Sequence, residues 1–224
     1  MTNIRAVMFD AYGTLLDVHA AMARHASGLG PRWPAISADW RRKQLEYSWI
    51  RSLAGPAHHR DFWRLTQDAL AWTAAQYGIA DEDILSGILM AYRRLDPYPE
   101  AASVLSDLRH RGLATAILSN GEPAMLDEAV TSAGLAPLLD HVLSVETVGV
   151  FKPDPRVYAM AATRLDLAAD RIAFVSSNPW DAFGAAAFGF RVFWVNRAAQ
   201  PKEYDLATSA TEIRSLAALP DRLT

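Results

Sequence analysis

Short apolar runs, each stopped by a polar or turn-forming cluster, recur along the chain at residues 4–9, 113–118, 141–145, 172–175 and 191–195. They are too short for helices and rich in residues that suit a pleated, covered surface, so they predict buried strands. Between them lie stretches of helical length at 99–110, 122–133, 155–164 and 179–188. Strands alternating with helices imply parallel pairing and helices on both sheet faces. The predicted fold class is α/β, with a doubly wound, Rossmann-like parallel-sheet core.

From about Leu16 to Pro97 that rhythm breaks. No strand pattern appears, but helical patterns run over 20–27, 37–53, 60–77 and 81–94, with Asp81 as a helix N-cap and Asp96-Pro97 as a stop. This predicts an all-helical insertion at 17–97, the core being built from 1–16 and 98–224. An insertion after the first strand lies above the carboxyl ends of the strands, where open α/β sheets bind ligands. It is therefore expected to cap a site.

Composition narrows the chemistry. The 224 residues are 51% hydrophobic and 21% charged, an ordinary globular balance. A formal net charge of -3 offers no broad attraction for nucleic acid or an anionic membrane, so any bound anion needs a local basic cluster. With no cysteine, disulfides, thiolate metal ligands and cysteine nucleophiles are excluded. No run approaches the roughly 20 apolar residues of a membrane-spanning helix, and the first run is too short for a signal peptide. A cytoplasmic location is expected.

Three polar clusters follow predicted strands directly: Asp10-Ala11-Tyr12-Gly13-Thr14-Leu15, Ser119-Asn120-Gly121-Glu122, and Ser176-Ser177-Asn178-Pro179-Trp180-Asp181. A fourth, Phe151-Lys152-Pro153-Asp154, leads into a helix. Each has a bland reading: Asp10 as a turn former, Ser119-Asn120-Gly121 as a turn, Asn178-Pro179 as a helix start, Lys152 as a solvated charge. Together they put a carboxylate, an ammonium, hydroxyls and amides at one rim of a parallel sheet, which is a catalytic constellation.

On these motifs the chain resembles the haloacid dehalogenase superfamily, whose members share Asp-x-x-Gly-Thr after the first strand. Within it, the sequence is similar to the L-2-haloacid dehalogenases. The marks are Asp10 to Leu15, the segment Trp40-Arg41-Arg42-Lys43-Gln44-Leu45-Glu46-Tyr47, and Ser176 to Ala182. Most of the superfamily transfers phosphoryl groups, generally with a second Asp two residues after the nucleophile as general acid. Here Tyr12 stands at that position, a phenol with an unperturbed pKa of about 10. Those enzymes also hold Mg²⁺, which favours carboxylate oxygens, and Ser177 stands where an acidic residue is usual.

Halide departs as an anion and needs no general acid, but it does need a nucleophile and a cradle for its charge. The resemblance therefore implies hydrolysis of short (S)-2-haloalkanoic acids to (R)-2-hydroxy acids through an Asp10 ester, without metal or cofactor. It implies that Lys152 pairs with Asp10, and that Arg41 and Asn120 receive the halide. Ser119 and backbone N–H groups near Tyr12 hold the substrate carboxylate. Thr14, Ser176 and Tyr158 order the network, and Asp181 with Asn178 positions or activates the water. Tyr12, Leu45, Phe62 and Trp180 form an apolar wall. Arg42, beside Arg41, is left open between a site role and the bland reading of a solvated cap residue. The partners implied are small halogenated carboxylic acids, halide ion and a second copy of the chain. A Mg²⁺-dependent small-molecule phosphatase and a non-catalytic binding protein are the alternatives.

Overall fold

The computed structural model describes residues 4–223. Six strands, β1 (Ala6–Phe9), β2 (Ala114–Ser119), β3 (His141–Ser144), β4 (Ile172–Ser176), β5 (Arg191–Val195) and β6 (Ala210–Ile213), form one parallel sheet in the order β3-β2-β1-β4-β5-β6. The central strand β1 is fully buried, as expected where helices cover both faces. Phe9, the last residue of β1, stands level with Ile117 of β2 and Val175 of β4, and those strands end two and one residues further on, so all three open onto the same edge of the sheet. The strand order reverses beside β1, which makes the gap between β1 and β4 the switch point where such sheets take ligands.

Five of the six strands follow the predicted runs. The sixth was not anticipated: Thr211 and Glu212 interrupt any apolar pattern, and three of its four residues are only half-buried. An edge strand paired on one side does not require a continuous apolar run.

Between β1 and β2 the chain forms only helices: α1 (Ala20–Ala23), α2 (Ala26–Leu29), α3 (Trp33–Ala54), α4 (Phe62–Tyr77) and α5 (Glu82–Tyr92), besides short 3-10 turns. The single helix expected over 20–27 is two pieces. Gly28 and Gly87 explain the tight fit there, since a side chain at Gly28 would meet Ile84 and one at Gly87 would meet the His25 ring. The helix expected at 37–53 starts earlier, at Trp33, with Pro34 in its first turn, where a missing N–H costs nothing. Asp61 and Asp81 cap α4 and α5 through backbone N–H groups.

On α3, Ile36, Trp40, Gln44 and Ser48 form one buried stripe at helical spacing. The Trp40 indole donates to Thr66 O (3.0 Å), the Gln44 amide donates to Thr66 Oγ1 (3.1 Å), and Tyr92 OH donates to Gln44 Oε1 (3.3 Å). Losing one partner of this buried amide would cost about 1–3 kcal/mol.

The chain leaves and returns side by side, where Leu16 bridges Pro97 and Tyr98 N donates to Leu15 O (2.9 Å). The remaining helices, α6 (Ala101–His110), α7 (Pro123–Ser132), α8 (Pro155–Leu165), α9 (Pro179–Phe188) and α10 (Leu206–Ser209), connect and cover the strands. Arg93 and Arg94 both grip Glu128 of α7 (2.6 and 2.8 Å), and His59 meets Glu146 (2.9 Å), tying the helical segment to the sheet side. Among the described residues no helix is long and apolar enough to cross a membrane.

Candidate active site

Asp10 is the first residue past β1 and is 5% exposed. Its backbone N–H still pairs with Val175 O, so the carboxylate stands on the rigid end of the sheet. Three donors hold it: Thr14 Oγ1 (3.0 Å) and Asn178 Nδ2 (2.7 Å) reach Oδ2, and Lys152 Nζ (3.2 Å) reaches Oδ1. Gly13, with φ +92°, supplies the left-handed turn that folds Thr14 back onto Asp10.

Lys152 Nζ also donates to Asp181 Oδ2 (2.9 Å), and Ser176 Oγ donates to the same oxygen (3.1 Å). Tyr158 OH donates to Asp181 Oδ1 (2.8 Å). Seven expected residues, Asp10, Thr14, Lys152, Tyr158, Ser176, Asn178 and Asp181, thus form one continuous buried or half-buried network. Asn120 joins it by accepting from Lys152 N (3.0 Å), whereas Ser119 Oγ accepts from Gly121 N (3.1 Å) and shapes the turn.

The charges follow from burial. Burial opposes an ammonium at Lys152, yet Asp10 and Asp181 outweigh it and hold its pKa above the ordinary lysine value. For Asp181, burial pushes the carboxyl up; Lys152 pulls it down, Asp10 raises it again, and it stands at about 6. Two carboxylates therefore share one cation, and Asp181 carries the strain of that arrangement.

Arg41 projects from α3, and its Nη2 reaches Tyr12 O at 3.4 Å. Tyr12 is packed between aromatic rings, parallel to Tyr92 (5.6 Å, 5°) and near Phe62 (6.5 Å). Burial, and next the Tyr92 phenol, push Tyr12 well above the usual tyrosine value. Such a phenol is a poor proton donor. Of the expected apolar wall, Tyr12 and Phe62 pack together, and Trp180 lies edge-on to Trp49 (5.5 Å), beside a cavity of about 500 Å³ that Phe151 and Lys152 also line. Leu45 is half-buried, one turn beyond Arg41. Arg42 is exposed and paired with Asp39 and Glu46, in line with its solvated reading.

Known proteins with this architecture decide the family. A model of haloacid dehalogenase-like hydrolases matches residues 4–189. The chain belongs to the haloacid dehalogenase-like hydrolase family. It is 44% identical to (S)-2-haloacid dehalogenase 1 of Pseudomonas sp. (strain CBS-3) over 224 residues, covering 100% of this chain and 98% of that protein. A crystal structure of a dehalogenase superposes with a TM-score of 0.96 at 41% identity, covering 99% of this chain and 98% of the other. The L-2-haloacid dehalogenase of Xanthobacter autotrophicus with chloropropionic acid covalently bound is similar at TM-score 0.85 and 38% identity, covering 97% of both chains.

Several residues around this haloacid dehalogenase-like site escaped the sequence reading. In the sequence Ser177 stands out only as a missing carboxylate, yet its N–H donates to Thr14 Oγ1 (2.9 Å) and its Oγ donates to Gly13 O (2.7 Å). Tyr92 backs the Tyr12 ring; its spacing from Ile88, both buried on α5, was the available signal. Phe151, beside Lys152, packs against Phe62 (6.0 Å) and the His59 ring (5.1 Å).

Proposed function

We propose that this protein hydrolyses the carbon–halogen bond of short (S)-2-haloalkanoic acids, releasing halide and the (R)-2-hydroxy acid. The observation that carries the reading is a buried Asp10 held by three donors, beside a Tyr12 unsuited to protonating a leaving alcohol. An Asp10 oxygen attacks C2 from the side opposite the halogen. The C–O bond forms as the C–halogen bond breaks, the electron pair leaves with the halide, and C2 inverts. Water then attacks the Asp10 carbonyl carbon (Cγ), one proton passing toward Asp181; the bond from Cγ to the oxygen on C2 breaks, and that oxygen takes up a proton to become the product hydroxyl. The second step leaves C2 untouched, so one inversion survives in the product.

Arg41 and Asn120 receive the halide, and Ser119 with backbone N–H groups near Tyr12 holds the substrate carboxylate. Thr14 and Asn178 orient Asp10, while Ser176 and Tyr158 orient Asp181. Tyr12, Phe62, Leu45 and Trp180 keep bulk water out. Residues 17–97 serve as a cap domain over the 1–16 and 98–224 core, of which 1–3 and 224 lie outside the described residues; the paired crossing at Leu16 and Pro97 supports the division. The reaction needs no metal. The donor set supports this, because the two buried carboxylates are bridged by the Lys152 ammonium and Ser177 supplies no carboxylate beside them. A two-fold homodimer fits the exposed apolar side chains of Leu53, Phe183 and Tyr204.

The test is halide release from L- and D-2-chloropropionate, with excess EDTA and separately with Mg²⁺, alongside an aryl phosphate. Release from the L isomer alone, undiminished by EDTA and giving D-lactate, is the expected result. Mg²⁺-dependent phosphate release without halide would turn the assignment to a phosphatase.

A pH dependence follows from Asp181. Its ionised form is the one that accepts the water's proton, so kcat is expected to fall as pH drops through about 6. The limb belongs to the Asp181–Lys152–Asp10 cluster as a whole. A kcat that stays flat from pH 7.5 to pH 5 would remove Asp181 from this role.

A further inference from the structure

The loop that carries Asp10 is gripped from the far side by a residue outside the network described above. Arg197 lies two residues past β5, and its guanidinium bridges three elements. Nη2 donates to Thr14 O (3.1 Å) and to Glu100 Oε1 (3.1 Å), while Nη1 reaches Gly13 O (3.4 Å). The guanidinium carbon sits 3.7 Å from the centre of the Tyr98 ring, close enough for a cation–π contact. Glu100 Oε1 also accepts from Ser215 Oγ (3.0 Å). Burial works against charge on Glu100, but its own backbone N–H, Ser215 and Arg197 hold its pKa below the usual glutamate value.

What Arg197 holds is the turn on which the nucleophile depends. Gly13 and Thr14 present their carbonyls to it, and Thr14 Oγ1 donates to Asp10 Oδ2. Tyr98 and Glu100 stand where the chain returns from the helical segment, tied to Leu15 by the Tyr98 N–H. Arg197 therefore joins three parts of the molecule, the end of β5, the returning chain and the nucleophile turn, through one planar group. A fork of N–H donors suits this task, and a lysine point charge does not.

We propose that Arg197 is a positioning residue for the Asp10 nucleophile, fixing the Gly13–Thr14 turn so that Thr14 holds the attacking carboxylate in line with C2. The proposal rests on the dehalogenase reading. No contact of Arg197 with Asp10 is involved, so its effect falls on the geometry of attack and not on the affinity for substrate.

The experiment measures kcat, KM and thermal midpoint for the wild type, Arg197→Ala and Arg197→Lys on L-2-chloropropionate, with and without methylguanidinium. A misplacement of about 1 Å at the reacting atoms costs roughly 100-fold in rate, so Arg197→Ala is expected to lose about that much in kcat with KM within about twofold. Arg197→Lys keeps the charge and the stem, guards against simple misfolding, and is expected to fall between. A cavity of about 450 Å³, lined by Arg197, Gly13 and Tyr98, leaves room for methylguanidinium, which is expected to restore part of kcat to Arg197→Ala. Unchanged kcat in both variants, a rise in KM alone, or losses that track the thermal midpoint without rescue would each overturn the proposal. A wild type that releases no halide would instead overturn the dehalogenase reading, and this inference with it.

Discussion

Asp10→Asn is expected to release no measurable halide, a loss of at least about 10,000-fold in kcat, because an amide oxygen is too weak a nucleophile to displace halide. The local geometry adds to the loss. Every side-chain partner of Asp10 is a donor: the Thr14 hydroxyl, the Asn178 amide and the Lys152 ammonium. An asparagine NH₂ would have to face one of them, leaving a donor opposed by a donor. Ion chromatography measures the halide released, and mass spectrometry of the peptide carrying residue 10 after substrate addition reports whether an ester forms there. A single turnover of wild type in ¹⁸O-water is expected to place the label in Asp10, with the product hydroxyl taking the old Asp10 oxygen. Label appearing first in the product would mean that water attacks C2 directly, and the ester mechanism would fall.

Lys152→Met carries the next largest effect, and it acts on both stability and rate. The ammonium is 1% exposed and is the counter-charge shared by Asp10 and Asp181. Removing one partner from a buried ion cluster costs about 3–5 kcal/mol, since the remaining charges stay buried and uncompensated. The methionine stem fills a similar volume, so the loss reflects charge more than packing. The rate is expected to fall roughly 100- to 1,000-fold, the scale for removing a preorganised stabiliser of transition-state charge.

The pH dependence of that stability has a definite sign. The Asp181 carboxyl already stands at about 6, raised by burial, and loses its strongest opposing influence when Lys152 goes. A carboxyl raised in the folded state binds its proton more tightly there than in the unfolded chain, so its contribution to stability is present at low pH and lost as pH rises through the folded value. Chemical denaturation at several pH values is therefore expected to show the variant closest to wild type below about pH 6. A gap that widens toward acid would contradict the shared-cation account.

Much of the site was readable before any contact was known. Asp10, Ser119 and Ser176 stand at the ends of their apolar runs because a parallel strand leaves the sheet where buried surface ends and polar chemistry begins. The cluster Ser176 to Asp181 could be read as one unit because a strand end and a helix start lie within six residues. Tyr12 and Ser177 could be read as departures from a phosphoryl-transfer pattern, since that depends on residue type alone. Less was readable where spacing is long and the residue ordinary. Arg197 and Tyr92 look like any surface charge and any core aromatic until the chain is folded, and β6 has no apolar run to mark it.

Periodicity and residue type alone set the alternation of strands and helices, the helical insertion after the first strand, the absence of thiol chemistry, and the residue types available at the sheet rim. Those features depend on periodicity and on residue chemistry, which are local. It took the folded chain to place Lys152 between Asp10 and Asp181, 142 and 29 residues away, and to bring Arg197 back across 183 residues to Thr14. Folding also set the Tyr12 ring flat against Tyr92 and turned Trp180 toward Trp49. Such contacts are fixed by strand order, register and close packing of whole elements, and none of these is written in any short stretch of chain.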